Sequence, residues 1–349
     1  MKDKTIAIDL AKSVFEVGIS DRPGHMNESH RLSRGKLLPF MVRQEPCRVL
    51  MEACGSAHYW GRQFKQYGHE VRLLPPLLVR PYVGRNKTDR SDVKGMFEAD
   101  RNSEIHPVPV KSLDQQQLTA LHRVRSAWME TRTARINAVR GLLRELGYVM
   151  PLGAKGVVPR VRELIEDAEL EIPPASREVF NEICEEIQEL ESRIRTVERQ
   201  LETLARQTPV VERLRSIPGI GVLTATALVG FVGDVQRFAS GRQFASYLGL
   251  TPREYSSGNR RRLGRISKKG DSYLRTLLVH GARAVLRAAK FKDGTDRLYA
   301  WSLEVQSRRG HNKAAVALAN KLARIAWAVW KRGATYCPRT ASNTRIGAA

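Results

Sequence analysis

The apolar positions of the chain fall into two regimes. Over the first hundred residues they gather in short runs with the length and β-branched content of strands. Residues 4–10 (KTIAIDL) and 13–19 (SVFEVGI) predict a hairpin, and His30 to Leu32 a third strand. Lys36 to Arg43 predicts a short helix, Arg48 to Glu52 (RVLME) a buried strand ending in an acid, and Ser56 to Tyr67 another helix. His69 to Leu74 reads as a strand stopped by Pro75-Pro76, and Thr88 to Asp100 as a helix with Thr88 as N-cap. Strands first, then strands alternating with helices, predict an α/β domain over residues 1–110.

From Ser112 the spacing becomes helical. Leu113, Leu118, Leu121, Val124, Trp128, Ile136, Val139, Leu143 and Leu146 mark one long helix, and a Gly/Pro-rich turn covers Gly147 to Pro159. Val161 to Ala168 reads as helical, and Pro173-Pro174 interrupts. Val179, Ile183, Ile187, Leu190, Ile194, Val197, Leu201 and Leu204 then trace a heptad seam. An antiparallel helical hairpin, a dimeric coiled coil and an ordinary bundle helix all satisfy that pattern. The expected organisation is an α/β domain over 1–110, a helical or coiled-coil linker and oligomerisation region over 111–207, a mainly α unit over 208–332 and a flexible tail over 333–349.

Ser216 to Gly233 holds no charge, but Pro218, Gly219, Gly221, Gly230 and Gly233 break it up, so it reads as soluble rather than as a membrane span. The N-terminus meets an acid too early for a signal peptide. Cys47, Cys54, Cys184 and Cys337 form no CxxC pair, which argues against a zinc site or disulfide framework and fits a reducing cytoplasm.

Charge changes the picture more than composition does. The 349 residues carry 59 Lys+Arg against 36 Asp+Glu, a net +23. Residues 1–160 hold a net +11, 161–204 a net −8, and 235–349 a net +19. Such an excess in the last third points to a polyanion, with binding that weakens as salt rises. The acidic stretch reads as a spacer or protein-contact region.

Four carboxylates stand out by position. Asp9 lies in the first strand (AIDLAK), Glu52 ends a neighbouring one (VLMEACG), and Asp89 and Asp92 sit three apart at a helix start (KTDRSD). Oxygens aimed into one cleft from two strands and a helix are what an RNase H-like site needs to hold Mg²⁺, two ions per site, for phosphodiester cleavage. Taken singly, each acid is also explained by a strand end or by the helix dipole.

Further on, LRSIPGIGV reads as the turn of a helix–hairpin–helix, with Gly219 and Gly221 freeing backbone N–H groups for a phosphate. A cationic loop follows, with Arg253, Arg260, Arg261, Arg262, Arg265, Lys268 and Lys269 around Ser256-Ser257-Gly258, and Arg275 in the helix beyond. A hydroxyl among such cations could attack a phosphodiester, although Ser-Ser-Gly by itself is an ordinary turn.

These segments together resemble the insertion-sequence-110 family of transposases, the bridge-RNA-guided DNA recombinases, over almost the whole chain. AIDLAK, VLMEACGSAHYWG and RNKTDRSD resemble its RuvC-like (RNase H-like) domain with a D-E-D-D set. SIPGIGVLTATAL, FASYLGLTP, SSGN and GRISKKGDSYLR resemble its C-terminal transposase domain. The resemblance implies Asp9, Glu52, Asp89 and Asp92 as Mg²⁺ ligands. It implies Ser257, with Ser256 as its rival, as a nucleophile forming a transient phosphoserine link. It implies partners too: double-stranded donor and target DNA, a structured guide RNA pairing with both, and further copies of the chain as dimers assembling into a synaptic tetramer. A bacterial cytoplasm, at the nucleoid during action, is the implied location. Two other classes remain in view: a RuvC-like junction nuclease using water as nucleophile, and a nucleic-acid-binding protein without catalysis.

Overall fold

A computed structural model describes residues 4–84, 88–291 and 296–338. They divide into two compact units, Met1–Gln116 and Gln117–Ala349. Residues 339–349 of the expected tail lie outside the described residues.

The first unit is built on a five-stranded sheet. Strands β1 (Thr5–Asp9), β2 (Val14–Ser20) and β3 (Glu28–Ser33) form an antiparallel meander, and β4 (Arg48–Glu52) and β5 (Glu70–Leu74) extend it in parallel with β1. The order across the sheet is β3-β2-β1-β4-β5. Helices α1 (Arg34–Val42) and α2 (Ala57–Gln66) make the crossovers. A single turn α3 (Pro76–Val79) leads towards α4 (Asp89–Asp100).

The central strands are apolar on both faces because both are covered. Ile6, Ile8, Val49 and Met51 pack with Leu37, Met41, Trp60 and Phe64 of α1 and α2. Ala7 and Leu50, the intervening positions, pack with Val93, Met96 and Phe97 of α4. Gly18 lets α4 approach β2, since a Cβ there would stand 2.8 Å from the Met26 sulfur and in the way of Val93.

The second unit takes all but the first four residues of α5 (Leu113–Glu145), followed by α6 (Val157–Glu166) and α7 (Pro174–Arg206). Ion pairs Arg125–Glu198 at 2.7 Å, Arg132–Glu191 at 3.7 Å and Arg135–Glu186 at 2.5 Å link α5 and α7. One number rises as the other falls, so the two helices run antiparallel within one chain. Part of the acidic charge of residues 161–204 therefore faces arginines of α5. Helix α6 folds back at the far end, where Val157, Val161 and Leu164 pack on Ile136, Val139, Phe180 and Cys184.

The expected seam on α7 is met from Ile187 onwards but not at its start. Val179 is 49% exposed, and Phe180 and Cys184 are buried instead. α6 covers a broader arc of α7 there than one heptad stripe, which turns the buried face by a residue. Val124 is likewise an exposed member of the α5 pattern.

The rest of the unit is a helical bundle of α8 (Pro209–Arg215), α9 (Val222–Val232), α10 (Gly241–Tyr247), α11 (Ser272–Ala289), α12 (Arg297–Arg309) and α13 (His311–Arg332). The charge-free stretch becomes the α8–α9 turn and α9, a helix buried on most sides by its neighbours. No helix of the described residues is long and apolar enough to cross a membrane. Between α10 and α11 the chain forms a two-stranded ribbon, β6 (Pro252–Glu254) and β7 (Leu263–Ile266), where the sequence pattern predicted only a loop.

Candidate active site

Asp9 is the last residue of β1 and Glu52 the last of β4. The two strands are parallel, with Ile8 beside Met51, so the acids stand next to each other at the same end of the sheet. Strand neighbours are about 4.8 Å apart. Side chains alternate faces, and Ala7 and Leu50 point to the α4 side, so Asp9 and Glu52 do as well.

Helix α4 brings its acids to that end. Asp100, at its C-terminus, pairs with Arg48 at 3.3 Å and with Arg72 at 2.5 Å, and Arg48 opens β4. The helix therefore runs opposite to β1 and β4, and its N-terminus lies over the strand ends that carry Asp9 and Glu52. That N-terminus is well defined: Thr88 Oγ1 accepts from the Ser91 N–H at 3.2 Å, and Ser91 Oγ accepts from the Thr88 N–H at 2.9 Å. Asp92 is half-buried and Asp89 exposed.

The pairing register adds Glu16, a carboxylate that sequence reasoning missed. It lies opposite Asp9 on β2, is 7% exposed, accepts a hydrogen bond from the Ser29 hydroxyl and faces Arg31 at 3.8 Å. Its position in VFEVG was the available signal, an acid alternating with core residues of a covered strand. Glu16, Asp9 and Glu52 thus form a row across three strands. Among the described residues, no three His, Cys, Asp or Glu side chains converge into a metal-holding group. The donors are nevertheless all hard oxygens, with Asp9 and Glu52 one strand spacing apart, and this set suits a hard divalent cation such as Mg²⁺.

In the second unit, the serines sit at the tip of the β6–β7 ribbon. Ser257 and Arg260 exchange backbone hydrogen bonds at 3.3 and 3.2 Å, and Gly258 takes φ +53° to close the turn. The two serines face opposite ways. Ser256 donates to Glu254 at 2.7 Å and accepts from the Arg262 N–H at 3.2 Å, and Arg261 pairs with Glu254 at 3.3 Å. That face is closed on itself, and the Ser256 and Arg261 contacts hold the Glu254 carboxyl below its ordinary pKa. Alternation puts Tyr255 and Ser257 on the other face, with Arg262 and Arg260 as their cross-strand neighbours. The Ser257 hydroxyl makes no hydrogen bond to another described residue, and Tyr255 is 62% exposed beside it.

The base of the ribbon is a backbone knot. Lys268 adopts φ +54° and its N–H donates to the Gly249 carbonyl at 3.1 Å. Any Cβ at Gly249 would strike Lys268 and Lys269, and any at Gly270 would strike the Tyr247 carbonyl. Arg253, Arg265, Lys268 and Lys269 are exposed around this base. Arg275 differs, because its guanidinium reaches back to the Leu248 carbonyl at 3.3 Å.

The LRSIPGIGV segment forms the turn between α8 and α9. Gly219 has φ +82°, and a Cβ there would lie 2.7 Å from the Gly281 carbonyl oxygen of α11. This side of the turn packs on protein, whereas Gly221 has open space around it.

Both halves of the chain match described families. The model DEDD_Tnp_IS110, described as Transposase, matches residues 6–147, and one described as Transposase IS116/IS110/IS902 family matches residues 211–297. A probable family 20 transposase of Pseudomonas aeruginosa is 44% identical over 334 residues, covering 95% of this chain and 98% of the relative. The chain belongs to the IS110 family of transposases. Two further relatives of this family agree along their length. The transposase for insertion sequence element IS1111A of Coxiella burnetii is 39% identical, covering 96% of this chain and 92% of that protein. The transposase for IS1328 of Yersinia enterocolitica is 38% identical, covering 95% and 98%. For an IS110-family transposase, the acids at the sheet end fall within the first matched segment and the serine ribbon within the second.

Proposed function

We propose that this transposase moves its insertion sequence as a serine-dependent DNA recombinase, with an RNase H-like domain supplying the acids and a guide RNA supplying sequence choice. The observation that carries the reading is the division of the ribbon into two faces. One holds a serine engaged with its own carboxylate. The other offers a free serine hydroxyl, flanked by Arg260 and Arg262, to whatever approaches the tip.

In this reading the Ser257 Oγ attacks a DNA phosphorus. An Oγ–P bond forms as one P–O bond of the strand breaks, the hydroxyl proton passes to a carboxylate, and the leaving DNA oxygen takes a proton from water. Arg260 and Arg262 hold the phosphate and stabilise its added charge. Asp9, Glu52, Asp89 and Asp92 would hold Mg²⁺, and Glu16, gripped by Ser29 and Arg31, would keep Asp9 in place. The cation, when bound, supplies positive charge beside the scissile phosphate. Reversal of the attack by a second strand end regenerates the serine, so strands exchange without net hydrolysis. Pairing of the guide RNA with donor and target DNA would select the sites while the basic ribbon grips backbone. The α5–α7 hairpin would serve assembly of dimers and of a synaptic tetramer, in which one subunit's serine meets acids of another.

The test is a denaturant-stable protein–DNA adduct on DNA carrying the element's ends. Ser257→Ala should abolish it with DNA and RNA binding intact, and Ser256→Ala should retain it. A second reading has its own observation, the 2.7 Å contact of Ser256 with Glu254, which could serve as a base. Loss of the adduct in Ser256→Ala but not in Ser257→Ala would select it. Cleavage surviving the double substitution would instead select water as nucleophile.

A further inference from the structure

A cavity of about 1670 Å³ lies in the second unit between α12, α13, the start of α10 and the segment 334–338. None of its lining residues belongs to the serine ribbon or to the acids of the first unit. Five cations face it, Arg242, Arg297, Lys321, Arg324 and Arg332, against two acids, Asp296 and Glu304. Both acids are engaged elsewhere. Asp296 caps α12 by accepting from the Leu298 N–H at 2.9 Å and also accepts from the Tyr336 hydroxyl at 3.0 Å. Glu304 pairs with Arg308 at 3.1 Å. Among the described residues, none of the five cations has a carboxylate within ion-pair distance.

Lys321 is the most telling of them. It is half-buried, its ammonium stands 3.8 Å above the ring centre of Trp301, and burial together with Arg297 and Arg324 pushes its pKa down. Cations crowded around one cavity repel unless an anion joins them. Apolar and aromatic side chains are interleaved with these cations along α12 and α13, with Trp301 and Trp327 among the lining residues. Anionic groups beside flat rings are the chemistry of nucleotides. In a duplex the base faces are stacked away, so only an unpaired strand can present one to a tryptophan. The volume exceeds the usual range of small-ligand pockets, about 300–1,000 Å³, and has room for more than one nucleotide.

We infer that this cavity is a second nucleic-acid site, which takes unpaired nucleotides of a single strand with their bases against Trp301 and their phosphates on Lys321, Arg297 and Arg324. The site is independent of the reading of Ser257 and needs no cleavage to be observed.

The test uses the full chain and fluorescence anisotropy with labelled 12-nucleotide single strands, DNA in one arm and RNA in the other, and a duplex of the same sequence as reference. Trp301→Leu should weaken single-strand binding about tenfold and leave duplex binding within about twofold. Arg297→Glu/Arg324→Glu changes two exposed side chains, so it keeps the fold testable if the tryptophan variant unfolds, and it should produce the same selective loss. The arm showing the loss names the strand, and loss in both marks a site indifferent to the sugar. Unchanged single-strand affinity, or an equal fall for strand and duplex in the folded charge variant, would overturn the inference.

Discussion

At the scale of single residues, what surrounds a group decides its chemistry. His122 is fully buried in α5, between the Tyr273 hydroxyl and Thr226 Oγ1, both at 2.9 Å. Burial, helped by Arg125, pushes its pKa down to about 4. The unfolded chain therefore takes a proton near pH 6.5 that the folded chain refuses until about pH 4. This contribution to stability is present in full above about pH 6.5 and shrinks as the pH falls towards 4, by about 3 kcal/mol over the window. Urea unfolding from pH 7 to 4.5 should show that loss, and a His122→Gln variant should show a flatter profile. Cys47 is the reverse case, an acid whose thiol burial pushes up to about 11, so it should alkylate slowly at pH 8. At the end of β1, Asp9→Asn removes a charge but keeps the shape. DNA cleavage should fall by about 100-fold or more with DNA binding retained, as read by parallel cleavage and anisotropy assays.

At the scale of elements, two devices hold the second unit's parts in place. Gly219 and Gly281 bring the α8–α9 turn onto α11 with no side chain between them. Gly281→Ala forces a methyl against the Gly219 carbonyl and should cost about 1–3 kcal/mol, a fall in Tm of several degrees by calorimetry. The other device is Arg177, whose guanidinium donates to the carbonyls of Ile172 at 3.0 Å, Ile165 at 2.6 Å, Asp167 at 2.8 Å and Leu170 at 2.7 Å. One side chain thus satisfies the end of α6 and the turn into α7. In Arg177→Ala these carbonyls lose their donor. Amide exchange across residues 165–177 should speed up while that of α11 and α13 stays unchanged.

At the scale of the whole molecule, charge is organised by what the fold pairs. The acids of α7 meet arginines of α5, so the −8 of residues 161–204 is partly internal, whereas the arginines of the ribbon remain exposed. DNA affinity should fall steeply with salt, and replacing Arg260, Arg262 and Arg265 with Gln should reduce the log–log slope by about 0.9 for each phosphate no longer neutralised. Far-ultraviolet circular dichroism should barely respond over the same salt range. Sequence by itself determined the five strands and the helices α1, α2 and α4 of the first unit, the Thr88 cap, and the long helices α5 and α7. Those features rest on local periodicity and chain direction, which neighbouring residues specify. Only the tertiary structure decided the rest. It made the seam of α7 an antiparallel pairing within the chain, because a heptad pattern does not name its partner. It turned Val179 outward because α6 covers another face. It drew Glu16 beside Asp9 through strand register, and put Ser256 and Ser257 on opposite faces of a ribbon. Pairing across strands and packing across helices join residues far apart in the chain, and no local pattern carries that information.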